Sequence, residues 1–203
     1  MPSTDAPPAA QSPGTTSVRE ARRLETRSRL FDAALAEIAR RGLAMADVAA
    51  IAAAAGVVRG TFYFHFPTKV HVLVELERNE EARIVAELRE ADADLESVLS
   101  QLVEHVLDAQ KRLGAKIFRD MLGLHFSSSH PVGDQLTQHP LAEYLIEIFD
   151  RAQSIDQIDA GADAAELATF FLTGLFALLA TGVEDAALLS RYVTTIVKGM
   201  ENR

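Results

Sequence analysis

The sequence predicts an all-helical protein in which a small three-helix unit at the amino terminus precedes a larger helical domain. Apolar residues recur every three or four positions along most of the chain, as in Leu30, Ala34 and Ile38, and this spacing marks one face of a helix. No segment alternates apolar and polar residues between turn pairs, which is the pattern of strands. Glycines and prolines stand between the periodic segments, where they end helices.

The first domain is predicted over residues 18–67, after a tail. Residues 1–17 hold four of the seven prolines and few large apolar groups, which predicts disorder. The first helix is expected over 18–41, with Gly42 as its stop. A short helix capped by Asp47 follows, and a third covers 58–66 before Pro67.

Residues 68–203 are predicted to form the second domain. Thr68 is expected to cap a long helix over 69–89. Further helices are expected over 94–113, 115–127, 140–153, 162–181 and 185–201. The seventeen uncharged residues 167–183 are fewer than the ~20 needed to cross a membrane, and they have no flanking Lys or Arg, so they predict a buried helix and no membrane partner.

Charge and cysteine content restrict the possible partners and the compartment. The formal net charge is −9, but residues 1–70 carry nine Lys and Arg against six Asp and Glu, whereas the remainder carries eleven against twenty-three. A polyanion is therefore expected to contact the first domain only. The chain has no cysteine and no visible secretory leader, which favours a cytoplasmic protein without a disulfide or thiolate site.

Residues 56–66, GVVRGTFYFHF, combine aromatic rings with an arginine and two glycines. Two short helices joined by the AGV turn form a helix-turn-helix, in which the second helix enters a DNA major groove. Phe62 and Phe66 lie four positions apart, so both are expected to point inward, against Ile51 and Leu35. The residues left outside are Arg59, Gly60, Thr61, Tyr63, Phe64 and His65.

These outward side chains have chemistry that suits DNA. Hydroxyl and imidazole groups donate to phosphate oxygens, a guanidinium forks onto guanine, and Phe64 suits a thymine methyl. Gly60 lets the backbone approach the duplex. The alternative, an aromatic helix that only packs a core, is disfavoured because the polar residues alternate with Phe62 and Phe66.

The segment LFDAALAEIARRG…DVAAIAAAAGVVRGTFYFHFPTKVHVLVEL resembles the amino-terminal domain of the TetR family of bacterial transcriptional repressors over residues 27–76. The resemblance implies an all-helical homodimer with a DNA reader and a carboxy-terminal ligand domain in each subunit. It implies that Thr61, Tyr63, His65 and Lys69 contact phosphates or sugars, and that Arg59 and Phe64 lie near base edges. The matching signature residues are Ala55, Gly56, Val57, Gly60, Thr61, Phe62, Tyr63, His65, Phe66 and Lys69.

Two positions of the DNA-binding surface depart from the family pattern. Val58 stands where the family usually has Ser or Ala, and it cannot cap the third helix. Asp47 stands where Thr is common; it caps the second helix, but its charge would repel a phosphate. The second helix has only small and apolar side chains after Asp47, so base reading is expected from Arg59 and from an arm of arginines, if that arm is more than a solvated helix start. The arm residues are Arg19, Arg22 and Arg23.

The second domain is expected to enclose an effector cavity, as the resemblance implies, although a simple core position is favoured for any single residue. The candidates by helical spacing are Leu102, His105, Val106, Phe118, Met121, Leu122, His125, Tyr144, Ile148, Phe170 and Gly174. A metal site among His105, His125, His130 and His139 is disfavoured, since none of these histidines lie four positions apart on one helix. No catalytic motif is present and no cofactor is predicted.

The last two predicted helices are apolar enough to pair with copies of themselves in a homodimer. Their apolar residues are Leu167, Phe171, Leu175, Leu178, Leu188, Tyr192, Ile196 and Met200. The sequence therefore favours a ligand-responsive DNA-binding repressor that acts on an operator. Two other hypotheses stay open: a ligand- or partner-binding module that keeps the fold without reading DNA, and, less favoured, an enzyme.

Overall fold

The computed structural model describes residues 14–89, 94–127 and 139–201, with side chains from residue 18 onward, and these residues form nine helices. The helices are α1 (Gly14–Arg41), α2 (Val48–Ala54), α3 (Arg59–His65), α4 (Lys69–Leu88), α5 (Leu95–Leu113), α6 (Ala115–Leu124), α7 (Pro140–Ser154), α8 (Ala164–Ala180) and α9 (Ala186–Met200). Within the described ranges there is no strand, only one isolated bridge between Ile158 and Glu201. The predicted all-helical class is confirmed.

The predicted helix boundaries agree with the structure to within a few residues, apart from one terminus. Helix α1 begins at Gly14, four residues before the predicted start, so residues 14–17 belong to a helix and not to a disordered tail. The rest of the predicted tail, residues 1–13, lies outside the described residues. At the other end of α1, Gly42 adopts φ +80° and donates its N–H to Ile38 O at 2.7 Å, as the predicted glycine stop requires.

Thr68 precedes α4 as predicted, but it does not cap the helix in the predicted way. Its hydroxyl lies 2.9 Å from Nδ1 of His71 and makes no cap hydrogen bond to a backbone N–H. The predicted side-chain cap was therefore wrong. The Thr68 hydroxyl bonds the imidazole of His71, one turn along, instead of a backbone N–H.

Helices α1, α2 and α3 pack around a small core of their own. Phe62 and Phe66 are almost fully buried there against Leu30, Ala34 and Ile51, with Leu35 packed at the edge. Their ring centroids are 5.7 Å apart, and Phe31 lies 6.3 Å from Phe66. The predicted inward direction of the two phenylalanines is thus confirmed, and it follows from their i, i+4 spacing.

Helices α4 to α9 form the second and larger core. Helix α7 packs along α8, α5 lies against α9, and α6 lies against α5 and α8. Helix α4 belongs to both cores, since Val72 lies in the small one whereas Leu73 and Leu76 lie in the large one. One continuous helix therefore joins the helix-turn-helix to the second domain.

Candidate DNA interface and ligand cavity

Helices α2 and α3 meet in a tight turn that fixes the direction of α3. Gly56 has φ +68°, a conformation that favours glycine, and Val57 N donates to Ala52 O at 2.9 Å. Phe62 anchors the inner side of α3 in the small core. The opposite side of this short helix is left facing solvent, and it carries the predicted DNA-contacting residues.

The outer face of α3 is both polar and aromatic. Tyr63 is 45% exposed and Phe64 is 72% exposed, whereas Thr61 and His65 are half-buried. The Arg59 guanidinium donates to the Tyr63 hydroxyl at 3.3 Å and lies 5.8 Å from its ring centroid. Gly60 is exposed, and no atom would meet a Cβ built there, so the backbone is open on this side.

His65 stands at the end of α3 beside arginines from α1. Burial lowers its pKa from the ordinary 6.5, and the positive charges of Arg23 and Arg27 lower it further. At neutral pH the ring is therefore neutral and has one N–H to donate. Arg27 pairs with Glu75 of α4 and covers the Phe66 ring at 4.6 Å, which fastens α1 to the base of α4.

The two helix starts at this surface differ in their caps. The Asp47 carboxylate accepts from Ala49 N at 2.8 Å and caps α2, whereas Val58 provides no side-chain cap for α3 and is 75% exposed. The exposed residues of α2 after Asp47 are alanines. The arm residues Arg19, Arg22 and Arg23 are helical and exposed, and Arg23 pairs with Glu20 at 3.0 Å.

Lys69 lies at the start of α4, behind the outer face of α3. Its ammonium donates to Ala44 O at 2.8 Å and to Ala46 O at 3.0 Å. It thus fastens the loop between α1 and α2, and one of its three N–H donors is left for a phosphate. The resemblance implied only the phosphate contact; the loop contact was not foreseen.

Helix α6 of the second domain holds the other side of that loop. The Asp120 carboxylate accepts the Leu43 N–H at 2.6 Å, and Lys116 Nζ donates to Arg40 O at 3.0 Å. The helix-turn-helix is therefore tied to α6 by polar contacts as well as to α4 by packing. The sequence did not predict these contacts, because the partners are more than seventy positions apart.

A small cavity of about 20 Å³ lies between α4, α5, α6, α7 and α8. Its apolar walls come mainly from α5 and α6, and α4 contributes three carboxylates. The lining residues are Glu77, Glu80, Glu81, Ile84, Val106, Ala109, Phe118, Met121, Leu122, Leu141 and Phe176. This volume suits about one water molecule, so a larger ligand requires the helices to move apart.

The family profile described as "Bacterial regulatory proteins, tetR family" matches residues 30–76, a range that includes α2, α3 and the adjoining parts of α1 and α4. The HTH-type transcriptional regulator AcrR of Shigella flexneri is 29% identical over 134 residues. This match covers 64% of the chain and 61% of AcrR, which is less than two thirds of that relative's length. Residues 30–76 are thus similar to the amino-terminal domain of TetR-family regulators.

Solved structures extend the likeness in fold to the second domain. FadR of Thermus thermophilus, a repressor solved with lauroyl-CoA, has a TM-score of 0.69 and 21% identity, with 87% of this chain and 96% of FadR covered. RolR, solved with resorcinol, has a TM-score of 0.69 and 19% identity, and 90% of each chain is covered. At these identities the likeness concerns the fold.

The residues predicted to face a TetR-type effector cavity fall in several places. Val106, Phe118, Met121 and Leu122 line the central cavity, and His125 contacts Glu77 in its wall at 2.6 Å. Ile148 lines a separate, open groove of about 520 Å³ between α5 and α7. Leu102 and Tyr144 are buried in the core without lining either space.

Three predicted cavity residues lie away from the cavity and need correction. Phe170 is 64% exposed on the outer face of α8. Gly174 faces Tyr192 of α9, whose hydroxyl would be 2.5 Å from an added Cβ and donates to Phe171 O at 2.6 Å. His105 is half-buried on the outer side of α5 and lies 2.9 Å from a Glu87 oxygen. Helix α8 is apolar on nearly all sides, so its sequence does not reveal which side faces inward.

The proposed pairing surface of the last two helices also needs correction. Phe171 and Leu175 are fully buried within one chain and Met200 is nearly so, so these three are not available to a partner. The outer surface of α8 instead presents Phe170, with Thr173 one turn and Ala177 two turns further along. Leu167, Leu178, Leu188, Tyr192 and Ile196 are partly exposed beside it.

Glu77 and Glu81 are functional candidates that the sequence analysis missed. They occupy buried positions on the stripe of α4 formed by Leu73, Ile84 and Leu88, where an apolar residue is expected. The sequence signal that could have identified them is the presence of acidic residues within an apolar stripe of a helix. Across the described residues, no three His, Asp or Glu side chains converge as metal ligands would, and His130 lies outside them.

None of the described helices is by itself long and apolar enough to span a membrane. Helices α2 and α3 reach the length and apolar composition of a membrane span only when they are taken together, and a 95° bend separates them.

Proposed function

We propose that this protein is a ligand-responsive transcriptional repressor of the TetR type that binds an operator as a homodimer. One observation carries the proposal. Helix α3 buries Phe62 in the small core while Arg59, Tyr63 and Phe64 remain on its exposed face. The side chains that could contact DNA are therefore held in place by the packed side of the same helix. A regulator of this kind acts where the DNA is, so we place it in the cytoplasm, as a binding protein and not an enzyme.

Arg59 is the proposed base reader. Its guanidinium is fully exposed and donates one hydrogen bond of 3.3 Å to the Tyr63 hydroxyl. Turning it towards guanine therefore breaks only this exposed hydrogen bond. Phe64 is the proposed contact for a thymine methyl. Neither residue has a polar competitor on α2, whose exposed side chains are alanines.

The remaining α3 residues are proposed to bind the phosphates. The Thr61 and Tyr63 hydroxyls, the neutral His65 ring and the third N–H of Lys69 are donors, and exposed Gly60 lets the backbone come close. Asp47 lies at the same surface, where its carboxylate sets a limit on how near a phosphate can approach. Arg19, Arg22 and Arg23 are proposed to extend the positive surface along helical α1.

The central cavity is the proposed effector site, because α6 connects its wall to the helix-turn-helix. Phe118 and Met121 line the cavity, and Asp120 between them holds the Leu43 N–H. A ligand that enlarges the cavity must shift α6, and that shift reaches the loop before α2. Related folds have been solved with lauroyl-CoA and with resorcinol, which supports a small-molecule effector for this fold.

The homodimer is proposed to form through α8 and α9, with Phe170 at the centre of the contact. An exposed phenylalanine on an outer helix surface, beside partly exposed Leu167 and Leu178, suits an apolar interface. Two chains related in this way would offer two α3 helices to half-sites about 34–36 Å apart.

Selection from random duplexes followed by fluorescence anisotropy tests the proposal. We expect a preferred near-palindromic sequence whose affinity falls steeply with salt, because phosphate contacts release counterions. Arg59→Ala should weaken binding to the selected duplex by about 1–3 kcal/mol, which is roughly five- to 150-fold, and relax its sequence preference.

Arg89→Ala is the matched control, since Arg89 ends α4 at about 30 Å from Lys69 and forms an exposed pair with Glu147 at 2.7 Å. It should bind DNA as the wild type does. If no sequence is selected, the chain is a binding module that retains the fold without reading DNA. If a sequence is selected but both arginine variants bind it alike, Arg59 is not the base reader.

A further inference from the structure

Two buried carboxylates stand side by side in the wall of the central cavity. Glu77 is 2% exposed and Glu81 is 3% exposed, and both are on α4, one turn apart. Carboxylates are rarely buried unless they are paired, because removal of their charge from water is costly. Their retention at core positions of a helix indicates a use beyond packing.

Each carboxylate has one oxygen engaged and one oxygen unused. His125 Nε2 lies 2.6 Å from Glu77 Oε1, and His139 Nδ1 lies 3.3 Å from Glu81 Oε1. The second oxygens, Oε2 of Glu77 and Oε2 of Glu81, are buried and have no hydrogen-bond partner in the described part of the chain. Two residues of the cavity wall therefore each hold a buried strong acceptor that lacks a donor.

The other walls of the cavity suit the apolar part of a ligand. Phe118 and Phe176 contribute aromatic rings, and Phe176 also stacks on His125 at 5.0 Å between ring centroids. The third acid in the wall, Glu80, is already neutralised by Arg83 at 2.6 Å and Arg112 at 2.8 Å. The acceptors still without a donor thus lie between aromatic and aliphatic surfaces.

We propose that the effector is an organic cation that has N–H donors and an apolar body, held by Glu77 and Glu81. An ammonium group would donate to the two Oε2 atoms, complement their charge and lie beside the phenylalanine rings. A carboxylate or phosphate ligand would meet acceptors and like charge. The acyl-CoA chemistry of structural neighbours is therefore not expected here.

The inference rests on the proposed function only in taking this cavity as the effector site. Burial raises the pKa of the Glu81 carboxyl, against the opposing contact with His139. The raised pKa is consistent with a carboxylate that lacks sufficient donors in the free protein. A bound ammonium would supply the missing ones, whereas a neutral alcohol would supply one hydrogen bond without the charge.

Calorimetry with three probes of equal size tests the proposal on the full chain without DNA. The probes are phenethylammonium, 2-phenylethanol and phenylacetate, which share one ring and differ in charge. We expect the cation to bind at least about tenfold more tightly than the alcohol, and the anion to bind most weakly. Glu77→Gln and Glu81→Gln should each reduce the preference for the cation to less than about threefold.

Glu87→Gln is the matched control, because Glu87 is also on α4 but is exposed and paired with Arg83 at 3.2 Å. It should keep the wild-type preference, and circular dichroism should show that all three variants are folded. Equal binding of the three probes, no binding of the cation at millimolar concentration, or a preference that survives both Gln substitutions would overturn the proposal.

Operator binding measured separately keeps this result apart from the proposed function. A chain that selects an operator but shows no preference for the cation remains a repressor with a different ligand. A chain that prefers the cation through Glu77 and Glu81 but selects no DNA keeps the ligand site and loses the regulatory role.

Discussion

At the start of α3, Val58 leaves the first turn without a side-chain acceptor. We expect Val58→Ser to increase the free energy of unfolding by about 0.5–1 kcal/mol, because a serine at this position accepts a backbone N–H. Little apolar burial is lost, since Val58 is 75% exposed. Urea denaturation measures the change, with Val58→Ala as the variant that lacks a hydroxyl. A serine variant no more stable than the alanine variant would show that the cap does not form.

Sequence reasoning at the level of single residues succeeded where one helix determined the answer. The i, i+4 spacing of Phe62 and Phe66 was enough to place both rings in the small core. It was insufficient where the partner is distant in sequence. His125 and His139 meet Glu77 and Glu81 across 48 and 58 positions, and neither pair has a local pattern.

Among the elements, α6 carries the connection between the cavity and the helix-turn-helix. Asp120→Ala should speed hydrogen exchange of the Leu43 amide at least about tenfold, because the amide loses a charged acceptor at 2.6 Å. Nuclear magnetic resonance exchange on the full chain measures this. Asp108→Ala, which removes an acid paired with Lys111 on the surface of α5, is the control. Unchanged protection of Leu43 would mean that packing alone holds the loop.

The helices themselves were readable from the sequence, and their faces only in part. Periodicity and end signals placed nine helices, since each is stabilised by one apolar stripe. Helix α8 lacks a polar stripe, so Phe170 and Phe171 were indistinguishable until the packing of α7 along α8 decided which is buried. Gly174 has no side chain because Tyr192 of α9 occupies the space where a Cβ would lie, a contact that spacing along one helix does not predict. The burial of Tyr192 raises the pKa of its hydroxyl to about 12.

For the whole molecule, the outer surface of α8 is the test of assembly. Phe170→Glu should convert a dimer into a monomer of 22.1 kDa, because it would bury an unpaired charge in an apolar contact. Sedimentation equilibrium measures the mass. Phe126→Glu changes another exposed phenylalanine, just beyond the end of α6, and should leave the dimer intact. A Phe170→Glu variant that stays dimeric would place the interface elsewhere.

The uneven charge of the chain fits the same arrangement. The basic first third carries α1, α2 and α3, whereas the acidic remainder carries the cavity and the proposed dimer surface. If the chain binds DNA as proposed, this charge distribution attracts the DNA to the first domain and repels it from the rest. The resulting orientation favours two α3 helices on one side of a duplex.

Hydroxyl-radical footprinting of the selected duplex measures the central claim most directly. Two protected patches about 34–36 Å apart, on one face of the DNA, are expected when two copies place α3 in successive major grooves. Both patches should disappear with Arg59→Ala and persist with Arg89→Ala. A single patch, uniform protection along the duplex, or an unchanged footprint with Arg59→Ala would contradict the account.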